Sequence, residues 1–322
     1  MKLRKPHFFL PVLALAAAQV AAQPYPAKPV RVVVSYAPGN VTDVLARIVA
    51  ENLGAKWKMP VVVENRPGQG GSLGAQIVAK APADGYTLLF SAMAALCINP
   101  HVYPNLGYDV TKDFVPVVSV AYPDGVMIAS VAVKAGTLSE LIAYSKANPG
   151  TLNYGSAGSG TVPHLNMEAL KAQTGLDATH VPYKGATAVM TDLVGGRVQL
   201  QQESLGVVLQ QIKAKRIKAI VAMSQKRLPQ LPELPAITEV LPGFDPVIPW
   251  LGILAPAGTP AEVVDLVYRD VGAILRQGPV IEKLQSNSMS PIGGSPKEFG
   301  AMVGRDLERL GKLVRALNLK VD

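Results

Sequence analysis

Cysteine is the scarcest residue, with Cys97 alone among 322 residues. That excludes an intramolecular disulfide and any multi-cysteine metal site. Histidine is nearly as rare, four in all, and His101, His164 and His180 have no close ligand spacing, so no metal is expected. Charged residues make up only 17%, and no basic run is longer than Lys213 to Arg216 (KAKR), which argues against a nucleic-acid partner. Beyond the N-terminal region, no apolar run free of Gly, Pro or charge approaches the roughly 20 residues that cross a bilayer. Catalytic signatures are also missing. Ala157 stands where the first Gly of a G-x-S-x-G elbow would precede Ser159, the phosphate-loop Lys is absent, and Gly68, Gly70 and Gly74 fail the dinucleotide spacing. No catalytic residue and no cofactor is expected, with a serine-dependent hydrolase left as a remote alternative.

What is present begins with a leader. Lys2, Arg4 and Lys5, the apolar stretch Phe8 to Ala18 and the small residues Val20-Ala21-Ala22 describe a signal peptide over residues 1–22, cleaved near Ala22. An exported, periplasmic protein is expected. The formal charge of +8 includes those three leader bases, and a mildly basic remainder suits small acidic ligands or solubility. With 49% hydrophobic residues the chain can bury a large core, and its length favours about two domains.

The stretch Tyr154 to His164 (YGSAGSGTVPH) dominates the pattern. It follows a β-type run from Thr151 and precedes helical spacing at Leu165, Ala169, Leu170 and Gln173, so it reads as strand, small-residue loop and helix start. The first amides of a helix lack intrahelical partners, and its dipole is positive there. Small side chains let a ligand reach that backbone, so the loop suits an anion. Val30 to Val34, Tyr36 to Asn40 and the periodic Val41, Leu45, Ile48, Val49 repeat the arrangement, with Asn40 as N-cap and Asp43 as a capping-box acid. Further strands are expected at Met59 to Glu64, Tyr86 to Phe90, Phe114 to Ala121, Val126 to Val133, His180 to Tyr183, Arg197 to Gln202, Ile217 to Met223 and Trp250 to Leu254. Helices alternate with them, which defines an α/β class. The Pro-rich segment Leu228 to Pro249 breaks regular structure.

Blocks in order along the chain resemble the Bug family of extracytoplasmic solute receptors, the binding component of tripartite tricarboxylate transporters. They are Tyr25 to Val30 (YPAKPV), Ala37 to Asp43 (APGNVTD), Val63 to Gly68 (VENRPG), Ala83 to Leu88 (ADGYTL), Leu152 to Ser156 (LNYGS), His180 to Gly185 (HVPYKG), Asp192 to Gly196 (DLVGG) and Leu254 to Pro260 (LAPAGTP). The resemblance implies a two-domain, hinged periplasmic-binding-protein fold of type II, each domain a mostly parallel sheet flanked by helices. It places residues 23–124 and 247–322 in a discontinuous first domain and 125–246 in the second. It implies a monomer that captures a small organic acid between the domains and delivers it to membrane permease subunits. A ligand-binding subunit for a sensor kinase uses the same cleft and stays open.

By that resemblance, carboxylates bind at the loop after the first strand and at the Ser-rich loop. Candidate ligand residues are therefore Tyr36, Pro38, Gly39, Asn40 and Asp43 on the first, and Ser156, Ala157, Gly158, Ser159, Thr161 and His164 on the second. Ser91 and Met93 at the mouth of the third strand, Tyr183, Gly185 and Glu203 complete the set, with Trp250 as a further wall. Asn40 departs from the family's usual second Gly. The apolar stretch Ser91 to Ala95 suggests a hydrophobic or aromatic far end to the ligand.

Overall fold

The computed structural model describes residues 25–319, and the expected signal peptide lies outside the described residues. The strands in chain order are β1 (Val30–Val34), β2 (Val61–Asn65), β3 (Thr87–Ala92), β4 (Phe114–Pro123), β5 (Gly125–Ser130), β6 (Asn153–Ser156), β7 (Thr179–Pro182), β8 (Leu200–Ser204), β9 (Ile217–Ala222), β10 (Leu251–Pro256) and β11 (Met289–Gly294). They form two sheets. One has six strands in the order β11-β4-β10-β3-β1-β2 and the other five in the order β7-β6-β8-β5-β9.

The β-branched run of β1 lies inside the first sheet, between β3 and the edge strand β2, with both faces covered. Val32 and Val34 enter one apolar cluster while Val33 enters the cluster on the opposite face. In the second sheet Val126 and Ile128 of β5 pack to one side, Met127 and Ala129 to the other. A strand buried on both faces has no polar alternation, which is why these stretches read as continuous apolar runs.

The expectation of mostly parallel sheets needs correction. β1 pairs parallel with β2 and β3, and β6 with β7 and β8. The pairs β10 with β3 and β4, β11 with β4, and β5 with β8 and β9 are antiparallel. Parallel neighbours need a crossover, which the helix Val41–Trp57 supplies between β1 and β2. β4 instead leads the chain out of the first sheet, through Asp124, into β5 of the second. β10 brings it back beside β4, and an outgoing and a returning strand run in opposite directions.

Helix ends follow local chemistry. Asn40 caps the helix Val41–Trp57, its Oδ1 accepting from the Thr42 amide at 2.9 Å. The helix Val162–Thr174 has Pro163 in its first turn and stops at Gly175, whose φ of 68° few other residues adopt. Within the final helix Pro296–Ala316, Phe299, Val303, Leu310 and Val314 are buried against the first sheet's second cluster, as their spacing requires. β11, rich in Gly and Pro, carried no strand signal. It forms as an edge on β4 with a register break between Pro291 and Gly294.

Candidate interdomain binding site

Two strand-to-helix loops meet where the sheets approach each other. The first, Ser35 to Asn40, is held from behind by Asp43. Its carboxylate accepts from the Gly39 amide (2.9 Å), from Asn65 Nδ2 (2.9 Å) and from Arg47 Nε (3.0 and 3.1 Å). Burial works against its charge, but the Arg47 guanidinium, the Gly39 amide and Asn65 outweigh it and hold the carboxyl below its ordinary value. The capping-box expectation is off by one residue, since Asp43 reaches the Gly39 amide and not that of Asn40. With its lone pairs engaged, Asp43 shapes the loop.

The second loop is tied by its own polar groups. Thr161 Oγ1 donates to the Gly158 carbonyl at 2.8 Å, and the Ser156 hydroxyl to the same carbonyl at 3.0 Å. Beneath it, Ser156 Oγ lies 2.7 Å from His180 Nε2, and His164 Nδ1 accepts the Gly160 amide at 3.2 Å. The two imidazoles stack at 4.0 Å with 15° between planes, and Tyr154 stacks on His180 at 4.8 Å. Burial pushes His164 down to about 4 and His180 to about 3, so both rings are neutral near pH 7.

Two cavities open between the loops. One is lined by Tyr36, Asn40, Val41 and Thr42 of the first loop and helix start, by Ala157, Thr161, Val162 and Pro163 of the second, and by Gln202, Glu203 and Ser204. Ala92, Ala94, Pro123, Gly125, Pro249 and Leu251 supply its apolar remainder. The other is lined by Tyr36, Ala37 and Asn40, the Pro67–Gly71 loop, Tyr103, Ala157 to Ser159 and Tyr183 to Ala186. Tyr36, Asn40 and Ala157 border both.

Of the residues expected at the site, Tyr36, Asn40, Ala157, Gly158, Ser159, Thr161, Tyr183, Gly185 and Glu203 therefore line these cavities. Others do not. Pro38 and Gly39 are exposed on the outer side of their turn. Ser91 is fully buried, its Oγ accepting from Ser35 at 2.9 Å. Met93 sits in the apolar core because the chain turns from β3 straight into a wide helical turn, Ala94–Ile98, that carries it inward. Trp250 is 1% exposed, packed edge-on against Phe299 with Nε1 donating to Asp306, so it is core and not wall. Ser156 and His164 support the second loop from below instead of lining it.

Sequence reasoning missed three groups of contributors, among others. Pro123, Gly125, Pro249 and Leu251 line the cavity because the two interlobe crossings pass beside it, which no local pattern reveals. Gln202 and Ser204 flank a residue that was singled out. Tyr103 lies far from any motif, yet its hydroxyl donates to the Ser159 carbonyl at 2.8 Å across the gap.

The arrangement is that of a binding cleft between two lobes. A family model described as "Tripartite tricarboxylate transporter family receptor" matches residues 45–319. The chain is 36% identical over 292 residues to a UPF0065 protein encoded in the tcbD-tcbE intergenic region of Pseudomonas sp. strain P51, covering 90% of this chain and 86% of that one. It is 33% identical over 308 residues to the BugT protein of Bordetella pertussis, covering 95% and 94%. Among solved structures, R. palustris Rpa4515 with adipate superposes with a TM-score of 0.89 at 33% identity, over 92% of this chain and 100% of that one. The periplasmic binding protein BugD gives 0.87 at 32% identity, over 92% and 100%. MatC of Rhodopseudomonas palustris with bound malate gives 0.84 at 29%, over 90% and 100%. The chain belongs to the tripartite tricarboxylate transporter receptor family, and it is a solute-binding receptor of the two-lobed α/β type.

Proposed function

We propose that this receptor captures a small organic carboxylate between its lobes, residues 23–124 with 247–322 and residues 125–246, and hands it to the membrane permease subunits of a tripartite transporter. The observation that carries the reading is the pair of facing loops, each opening a helix of 13 residues or more, around a cavity whose walls come from both sheets. Unpaired first-turn amides on both sides hold an anion by hydrogen bonds worth about 1.5–3 kcal/mol each. Three or four of them, with lobe closure, reach the roughly 8 kcal/mol of a micromolar complex. The relatives solved with adipate and malate support an acid as the ligand.

Carboxylate contacts fall to Asn40 and the amides of Ala157, Ser159 and Thr161, since those of Gly158 and Gly160 are taken by Ser156 Oγ and His164 Nδ1. The ligand's body lies against Ala92, Ala94, Pro123, Val162 and Leu251, which favours a slender acid with an apolar portion. The test is thermal shift of the mature chain against adipate, malate, hexanoate and benzoate. A bound acid at about 100 times its Kd raises unfolding free energy by about 2.7 kcal/mol. Thr161→Val should abolish that gain. No stabilisation by any of the four, or ester hydrolysis lost in Ser159→Ala, would remove the proposal.

A further inference from the structure

The first cavity has an unusual charge inventory for a site that takes acids. Among the described residues lining it there is no lysine, arginine or histidine, and its one carboxyl group is Glu203. That side chain is 7% exposed. Its Oε1 accepts the Ser204 amide at 2.8 Å and its Oε2 the Gln201 amide group at 3.0 Å, and no cation is paired with it. The β6–β8 register, Tyr154 with Leu200 and Gly155 with Gln201, places Ala157 level with Glu203 when continued. The carboxyl group thus stands beside the loop whose amides face the anion.

Two adjacent carboxylates without a countercharge repel strongly in a water-excluded cavity, and one of them keeps a proton. Resting on the receptor reading above, we propose that Glu203 meets the ligand as the neutral acid, donating its O–H to the ligand carboxylate. Capture then takes up one proton from water. The proton balance is simple: ionised Glu203, ligand anion and one proton become a single hydrogen-bonded acid–carboxylate pair bearing one negative charge.

The surroundings agree. Burial outweighs the lowering effect of its two hydrogen-bond donors and leaves Glu203 raised to about 7. The other titratable groups near it are poor countercharges, and the cation on the cleft, Lys184, lines the second cavity and not this one. Tyr36 on the opposing loop is neutral, its phenol pushed well up by burial. Asp124, next to Gly125 on the crossing strand pair, is raised to about 6 by burial and opens on a different cavity. His164 and His180 below the second loop are neutral, and Asp43 is held by Arg47 behind the first. The site so built favours an acid entering as a single carboxylate at this end, and disfavours a second charge there.

The experiment is isothermal titration of the mature receptor with adipate and hexanoate between about pH 6 and 9, repeated in two buffers of different ionisation enthalpy. Affinity should be nearly level at the acid end and then weaken by up to about tenfold per pH unit above 7, with about one proton taken up per ligand at pH 8. Glu203→Gln should bind with no pH dependence and no proton uptake, and more tightly than the native receptor at the alkaline end. Native affinity that is level, or that rises with pH, overturns the inference while leaving the receptor reading intact. Absence of binding to either acid at every pH, together with silence in the thermal-shift panel, overturns both. The native pH series decides the matter even if the variant fails to fold.

Discussion

The Tyr103 hydroxyl and the Ser159 carbonyl meet at 2.8 Å, joining the short helical stretch after β3 in one lobe to the Ser-rich loop of the other. The contact bridges the two lobes, so any motion that parts them breaks it. Removing it with Tyr103→Phe should lose about 1 kcal/mol of closure, hence about fivefold in affinity, read as a faster dissociation rate. Unchanged dissociation would show that the bond is absent from the ligand-bound form.

Gly70 sits at the same seam. Its φ is 58°, and a Cβ there would lie 2.7 Å from the Ser159 carbonyl oxygen, inside contact distance. Gly70→Ala therefore pushes one loop off the other. Ligand affinity should fall by about tenfold or more, while stability falls by only about 1 kcal/mol, the backbone term of an alanine in that region. Titration calorimetry beside thermal unfolding separates the two effects.

Asp43 shapes the first loop without facing the ligand. Asp43→Ala frees the Gly39 amide and leaves Arg47 and Asn65 without their common acceptor. A loss of about 1–3 kcal/mol in unfolding free energy is expected, with weakened binding. The native carboxyl is held below its unfolded value, so its contribution is present above about pH 4 and is lost as pH falls through the folded value. The variant should therefore lose part of the native protein's dependence on pH at the acid end, checked by urea unfolding across about pH 3 to 6.

The stacked imidazoles have the opposite chemistry. They are bases kept neutral by burial, so the unfolded chain gains protons first as pH drops below about 6.5, and the fold is destabilised. His164 and His180 resist protonation until about 4 and about 3. Glu203 and Asp124, raised to about 7 and about 6, act in the other sense, because the folded chain holds protons that the unfolded one releases. Near pH 5 the two pairs offset one another. His180→Gln removes one member of the first pair, and the slope of unfolding free energy with pH should change by about one proton, or about 1.4 kcal/mol per pH unit.

Much of this molecule was written locally. The run Val30 to Val34, the Asn40 cap and the helix Ala186–Val194 formed where periodicity and turn residues place them. Both cleft loops were visible as small-residue links between a strand and a helix. Four of the errors have a common cause. Ser91, Met93, Ser156 and His164 stand next to the cleft in sequence, yet all are nearly fully buried, because side-chain direction at a strand's end depends on what the chain does next. The wide turn Ala94–Ile98 after β3, and the packing of His164 on His180, lie beyond any local pattern.

The amino-acid sequence alone determined the alternation of strands and helices, the two loops with unpaired amides and the family, since each rests on neighbours within a few residues of one another. Tertiary structure decided the antiparallel crossings through β4, β5 and β10, the seam of Gly70 and Tyr103 against Ser159, and the buried Glu203 as the one carboxyl group on the first cavity's wall. Those properties depend on which surfaces exclude water from each other, and burial is set by residues far apart along the chain, 56 positions for Tyr103 and Ser159.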